Sequence, residues 1–154
     1  MFGGQQEHGI RPGTIPVALA AGCGEACAIA QNEHLKNDIK LQKIKTTLIK
    51  LLDESGIEYR CNGDQCYCIN STINICLPGV ISEALMLSTK QFCSISNGSA
   101  CTSKNYSPSY VLTAMGLTGD EAECSIRISW GPEIDAEVFE EEVRNLINAA
   151  KSLA

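Results

Sequence analysis

No apolar run in the 154 residues approaches the length that a membrane-spanning helix needs. The N-terminus also lacks the basic region followed by an apolar one that marks a secretory signal, so the chain is expected in the cytoplasm, with no membrane partner. Arginine is scarce. Arg11, Arg60, Arg127 and Arg144 stand far apart, leaving no stripe of cations that could track a phosphate backbone. The net charge of −6, with acids gathered in the last third, opposes a nucleic-acid surface as well. Low-complexity tracts and internal repeats are absent. Histidine occurs only at positions 8 and 34, each among polar neighbours, which suits surface residues better than ligands or bases. What remains, 44% hydrophobic and 19% charged residues, is the composition of a globular protein with room for one domain, or one domain and part of a second.

Cysteine is plentiful by contrast, with nine in the chain. An odd count without a secretory signal does not suit a disulfide scaffold, so reduced thiols are expected, most of them inert and buried. Cys61, Cys66, Cys68 and Cys76 could offer four sulfurs to zinc or to an iron–sulfur cluster. Their spacing, C-x4-C-x-C and then a seven-residue gap, matches no ligand knuckle. Strand alternation would put Cys66 and Cys68 on one face, where packing explains them equally well. No metal site is expected.

Residues 1–14 mix glycine, proline and polar residues without a period and read as a loop. A helical pattern follows from Pro16 to about Leu52. Its first part, "IPVALAAGCGEACAIAQ", is small and apolar, as suits a helix packed closely against neighbours, with a break near Gly22–Gly24. Its second part sets Leu35, Ile39, Lys43, Ile44, Leu48 and Leu51 at spacings of three to five. Gly56 marks its end. "IEYR" and "STINICL" read as strands around an Asn62-Gly63 turn. "PGVISEALMLSTK" reads as a short helix with Ser82 as a cap, "FCSIS" as a strand, "SPSYVLTAMGL" as a helix with Pro108 in its first turn, and "CSIRISW" as a strand. "DAEVFEEEVRNLINAAKSLA" closes the chain as an amphipathic helix with acids in its first turn. The order is α-β-β-α-β-α-β-α, an α+β layer with helices packed on one sheet.

Three residues stand out as candidates for chemistry. Cys101 lies in "SISNGSACTS", among small polar residues rather than the aliphatics that usually surround a core thiol. A reactive cysteine needs access, nearby donors or positive charge, and room to move; Ser99, Thr102, Ser103 and Lys104 are close in sequence. Composition alone leaves it between a nucleophile and an incidental thiol. Arg127 interrupts the apolar strand "CSIRISW" on the face opposite Ile126 and Ile128, beside the small Ser125 and Ser129. There it could take a carboxylate by two parallel hydrogen bonds, or simply face solvent on a half-exposed sheet. Thr14, in "RPGT" before the long helix, offers a hydroxyl and free backbone N–H groups to an anion such as phosphate, or serves as an ordinary cap.

Taken together, "SNGSACTS", "SPSYVLTAMGL" and "CSIRISWG", with the opening "GGQQEHGIRPGT", resemble the C-terminal region of the cysteine desulfurases, pyridoxal-phosphate enzymes of the class V aminotransferase group. The resemblance runs from Gly3 to the last helix, with its motifs in order and at matching separations. It implies the small C-terminal domain of a fold-type I pyridoxal-phosphate enzyme: an α+β fold with a mixed or antiparallel sheet, helices packed on it, and a long linking helix before it. Residues 1–16 would be a remnant of the large cofactor-binding domain, 17–55 the linking helix, and 56–154 the small domain carrying the cysteine loop. Cys101 would attack the sulfur of the cofactor-bound L-cysteine, leaving L-alanine and holding the sulfur as a persulfide for an acceptor protein. Arg127 would hold the substrate carboxylate. Thr14 would contact the cofactor phosphate of the neighbouring subunit, so the complete enzyme would be a homodimer.

The same resemblance places the cofactor lysine, in a Ser-x-His-Lys type segment, upstream of the Gly-Gly stretch. None of the eight lysines here sits in such a segment, so the chain by itself is expected to lack the Schiff-base lysine and to be incomplete for turnover. Desulfurases of this kind serve iron–sulfur scaffolds, tRNA-thiolation relays and DNA-sulfur-modification proteins. A second reading is a persulfide carrier or partner subunit that associates with a complete desulfurase without binding cofactor itself.

Overall fold

The structure, a computed structural model, describes residues 2–98 and 109–154. Residues 99–108, Cys101 and Pro108 among them, lie outside the described residues. The chain forms two compact units, Met1–Lys36 and Asn37–Ala154.

In the first unit a 3-10 turn, Gln6–Gly9, precedes the helix α1, Val17–Ser55, and the division between the units falls within this helix. The helix runs without interruption through Gly22 and Gly24, where the sequence suggested a break. The small apolar stretch read as a tightly packed helix is instead exposed, Val17 and Leu19 both more than 70%. The periodic positions Leu35 and Ile39 are exposed too.

The second unit holds the core. Gly56, at φ +72°, ends α1 in the left-handed conformation that glycine adopts without strain. The sheet has the order β1 (Arg60–Cys61), β2 (Thr72–Cys76), β3 (Ser125–Ser129), antiparallel throughout. Asn74 faces Arg127 and Ile75 faces Ile126. Side chains alternate across a strand, so Ile73, Ile75, Ile126 and Ile128 share one face and Thr72, Asn74, Cys76, Ser125, Arg127 and Ser129 the other. The isoleucine face meets Ile44, Leu48, Leu51 and Leu52 of α1, Leu85 of α2 (Ser82–Thr89), and Phe139, Val143, Leu146 and Ile147 of α5 (Ala136–Lys151). Trp130, just past β3, packs edge-on to Phe139 with ring centroids 5.6 Å apart. Asp135 caps α5, its Oδ1 accepting from the N–H groups of Glu137 and Val138. At the far end Lys151 Nζ donates to Ser55 O at 2.6 Å, joining the ends of α5 and α1 across 96 residues of sequence.

Several expected elements are shorter than the sequence suggested. Strand "IEYR" contributes only its last residue, Arg60, which pairs with Cys76, and Cys61 extends it by one. "FCSIS" is reduced to one bridge, Ser96 to Arg127. The end of α2 carries on as turns, with the Phe92 and Cys93 N–H groups both on Thr89 O, so the chain is not extended until later. Ser82 is the first residue of α2 rather than its cap; Ile81 holds that place. Of the next expected helix, Tyr110–Ala114 is described as α3, and Gly116, at φ +92°, lies just beyond it. An added helix, α4 (Gly119–Glu123), starts on a capping box in which Thr118 Oγ1 accepts from Glu121 N and Glu121 Oε2 accepts from Thr118 N. Its signal, Thr-x-x-Glu, was present in the sequence.

Leu48 is fully buried between α5 and the sheet. Leu48→Ala should cost about 2–5 kcal/mol, as deletion of a core leucine side chain does, read from the urea midpoint of the whole chain. Thr118→Ala should cost about 1 kcal/mol. Equal midpoints for Leu48→Ala and the parent would overturn the placement of α1 against α5.

Candidate active-site face of the sheet

Arg127 is exposed at the centre of the polar face. Its backbone N–H and C=O both bond Ser96, at 2.6 and 3.0 Å. The two groups of one residue point the same way in an antiparallel strand, so the Asn74–Arg127 pair exchanges no backbone bonds and its side chains stand close. The other arginines are occupied. Arg60 pairs with Glu121 at 2.8 Å, Arg144 with Glu140 at 2.7 Å, and Arg11 donates to the Gly13 and Thr14 carbonyls. Among the described residues no carboxylate pairs with Arg127, so its guanidinium is free to meet an anion from outside.

The face beside it is ordered by hydrogen bonds that sequence reasoning missed. Ser125, read as a small residue leaving space, is fully buried and donates to Glu121 O at 2.7 Å. Asn62 Nδ2 donates to Asn74 Oδ1 at 2.6 Å and to Ser125 Oγ at 2.9 Å. Thr72 Oγ1 and Ser129 Oγ lie 2.9 Å apart. The signal for Asn74 was the one that singled out Arg127: a polar residue set between two isoleucines, in "STINICL".

Thr14 lies in the first unit, exposed, two residues before Pro16, whose carbonyl accepts from Ala20. Gly13 N is held by Gln6 Oε1 at 3.1 Å, while the Thr14 hydroxyl and N–H make no hydrogen bond among the described residues. Cys101 lies outside the described residues.

The remaining thiols divide by burial. Cys23, Cys27, Cys66 and Cys68 are exposed, and burial pushes the Cys61, Cys76 and Cys93 thiols up from their ordinary value. Cys66 and Cys68 do not share a strand face as expected; Cys66 lies in, and Cys68 just after, a 3-10 turn, Gln65–Tyr67, capped by Asp64. Among the described residues no three His, Cys, Asp or Glu side chains converge as a metal site would require. Nor is any described helix long and apolar enough to cross a membrane.

No family model matches the chain. Among curated proteins, the cysteine desulfurase IscS of Shewanella baltica (strain OS155 / ATCC BAA-1091) is 40% identical over 134 residues, covering 85% of this chain and 32% of that protein. The chain belongs with the C-terminal portion of the cysteine desulfurases. It spans about a third of the length of the desulfurases it matches. Two solved structures agree. A NifS-like protein superposes with a TM-score of 0.82 over 99% of this chain and 39% of its own, at 22% identity, which supports the fold alone. A structure titled SspA in complex with cysteine matches with a TM-score of 0.61 and 31% identity, over 86% of this chain and 35% of its own. The α+β desulfurase fold expected from the sequence is the one observed, with the sheet antiparallel.

Two outcomes are expected. Limited alkylation with iodoacetamide near pH 8, read by peptide mass, should modify Cys66 and Cys68 about tenfold or more faster than Cys76 and Cys93, whose thiolate fractions are reduced by burial. The Glu121 carboxyl is held below its ordinary range by the Thr118 N–H and by Arg60. A depressed carboxyl contributes stability above its unfolded pKa and loses it as pH falls through the folded value. The gap in urea midpoint between the parent chain and Glu121→Gln should therefore be widest at neutral pH and close as the pH falls below about 4.5. A gap independent of pH would show that the carboxylate charge plays no part.

Proposed function

We propose that this chain is the sulfur-accepting portion of a cysteine desulfurase, with Cys101 as nucleophile, Arg127 as the substrate-carboxylate site and Thr14 as a contact for the phosphate of pyridoxal 5'-phosphate. The observation that carries the reading is the exposed Arg127 guanidinium, with no carboxylate partner among the described residues, in a chain 40% identical to a desulfurase. A free carboxylate and a planar guanidinium match by two parallel hydrogen bonds, which suits an amino acid such as L-cysteine.

Thr14 suits a phosphate: its hydroxyl and N–H make no hydrogen bond among the described residues, and the residue is exposed just before α1. The cofactor would supply the electron sink for breaking the substrate Cβ–S bond. The chain's own part is then to hold the carboxylate at Arg127 and present the Cys101 thiolate to the substrate sulfur. The Cys101 Sγ–S bond forms as the Cβ–S bond breaks. Overall, one Cys101 thiol and one L-cysteine give one Cys101 persulfide and one L-alanine, so no outside oxidant is needed. The Schiff-base lysine would come from a part of the enzyme not in this sequence, and the complete protein would act as a cytoplasmic homodimer. An iron–sulfur scaffold, a tRNA-thiolation relay or a DNA-sulfur-modification relay would take the sulfur.

The test is to incubate the chain with a complete desulfurase, pyridoxal phosphate and L-cysteine, and to map persulfide by mass spectrometry. Cys101 should gain one sulfur atom, and Cys101→Ser should gain none there while the other thiols behave as in the parent. Sulfur spread over the exposed cysteines, with no preference for Cys101, would overturn the assignment.

A further inference from the structure

The hydrogen bonds of the polar face end on an amide with donors to spare. Ser125 gives its one hydroxyl proton to Glu121 O, so its Oγ can only accept from Asn62, and this fixes Nδ2 as the end of Asn62 that points to it. The same Nδ2 donates to Asn74, so Asn74 turns its oxygen towards Asn62. Its NH2 group is turned away and makes no hydrogen bond among the described residues. The clamp is firm, because Asn62 is only 6% exposed and its backbone N–H also bonds Asn74 O. It is also one-sided: Asn62 Oδ1 is buried without a partner among the described residues, so the arrangement gives up one acceptor in order to aim Asn74. Asn74 is paired with Arg127 across β2 and β3 without intervening backbone bonds, which brings their Cβ atoms to about 4.5–5.5 Å. An unspent amide NH2 and an unspent guanidinium thus stand side by side, with no carboxylate among the described residues to meet them.

We infer that Asn74 is a second donor to the carboxylate held by Arg127, and that Asn62 and Ser125 are positioning residues that set which end of its amide faces that carboxylate. The inference rests on the reading of Arg127 as a carboxylate site. A guanidinium fork uses two of the carboxylate's lone pairs and leaves others open, and an adjacent N–H takes one. An amide or ester in place of the acid would lose the charge that makes both bonds strong.

The experiment is a titration of the 15N-labelled chain with L-alanine, with L-alaninamide as the control lacking a carboxylate, following the Asn74 Nδ2 and Arg127 Nε signals. Both signals should move along one binding curve with L-alanine and stay in place with L-alaninamide. Asn74→Ala should weaken the L-alanine response of Arg127 about tenfold, the usual loss for a hydrogen bond to a charged group. Asn62→Ala, which leaves both donors present but frees the Asn74 amide to rotate, should weaken it a few-fold with unchanged circular dichroism. The isosteric Asn74→Asp should abolish it by giving Arg127 an internal partner. Movement of Arg127 with Asn74 unmoved, or an Asn74→Ala chain that titrates like the parent, overturns the role of Asn74 and leaves Arg127 as the carboxylate site. If neither signal moves, both readings fall together.

Discussion

The second unit depends on one constraint, the two-sidedness of the β2–β3 pair. Alternation sends four isoleucines to one side, where the apolar stripes of α1 and α5 cover them. Everything polar in the two strands is thereby forced to the other side together. Arg127 needs no special device to stand beside Asn74: once Ile126 and Ile128 are buried, it has no other place to go. A slip of register by one residue would bury the guanidinium and expose the isoleucines, so the stability of the core and the geometry of the site rest on the same alignment.

The polar face is kept rigid by different means. The bonds from Glu121 O through Ser125 to Asn62 and Asn74 connect α4, β3, the turn after β1, and β2. Glu121 plays three parts at once. Its backbone anchors Ser125, its carboxylate closes the capping box of α4, and it pairs with Arg60. The helix whose Thr-x-x-Glu signal went unread is therefore tied directly into the candidate site. Arg60, the cation of β1, is engaged by Glu121.

Much of this was legible in the sequence, and what was not has physical causes. The alternation in "CSIRISW" located β3 and put Arg127 on the polar face, and the apolar period of the last helix located α5. The order of helices and strands indicated an α+β layer, and the resemblance to desulfurases narrowed it to their small C-terminal domain. The strand ends were not legible, because pairing with a neighbour decides them: β1 keeps only Arg60 and Cys61 before the Asn62-Gly63 turn that the sequence did signal, and helical turns with weak local signals precede Ser96. The apolar start of α1 misled for another reason. Small aliphatic composition shows that a surface is to be covered, not what covers it, and in this chain Val17 and Leu19 are exposed. Asn62 could not be found from sequence, since its part in the site depends on Ser125, 63 positions away.

The bond from Lys151 to Ser55, and the packing of Leu48 and Leu52 opposite Val143 and Ile147, bear on the order in which the protein is made. A ribosome completes the apolar stripe of α1 long before it adds α5, at roughly 5–20 residues per second. Over that interval the stripe has no lasting cover, and the unit cannot close until its last helix has emerged. Closure of the sheet's two faces is thus deferred until α5 has been made, and the polar face takes its final form only then.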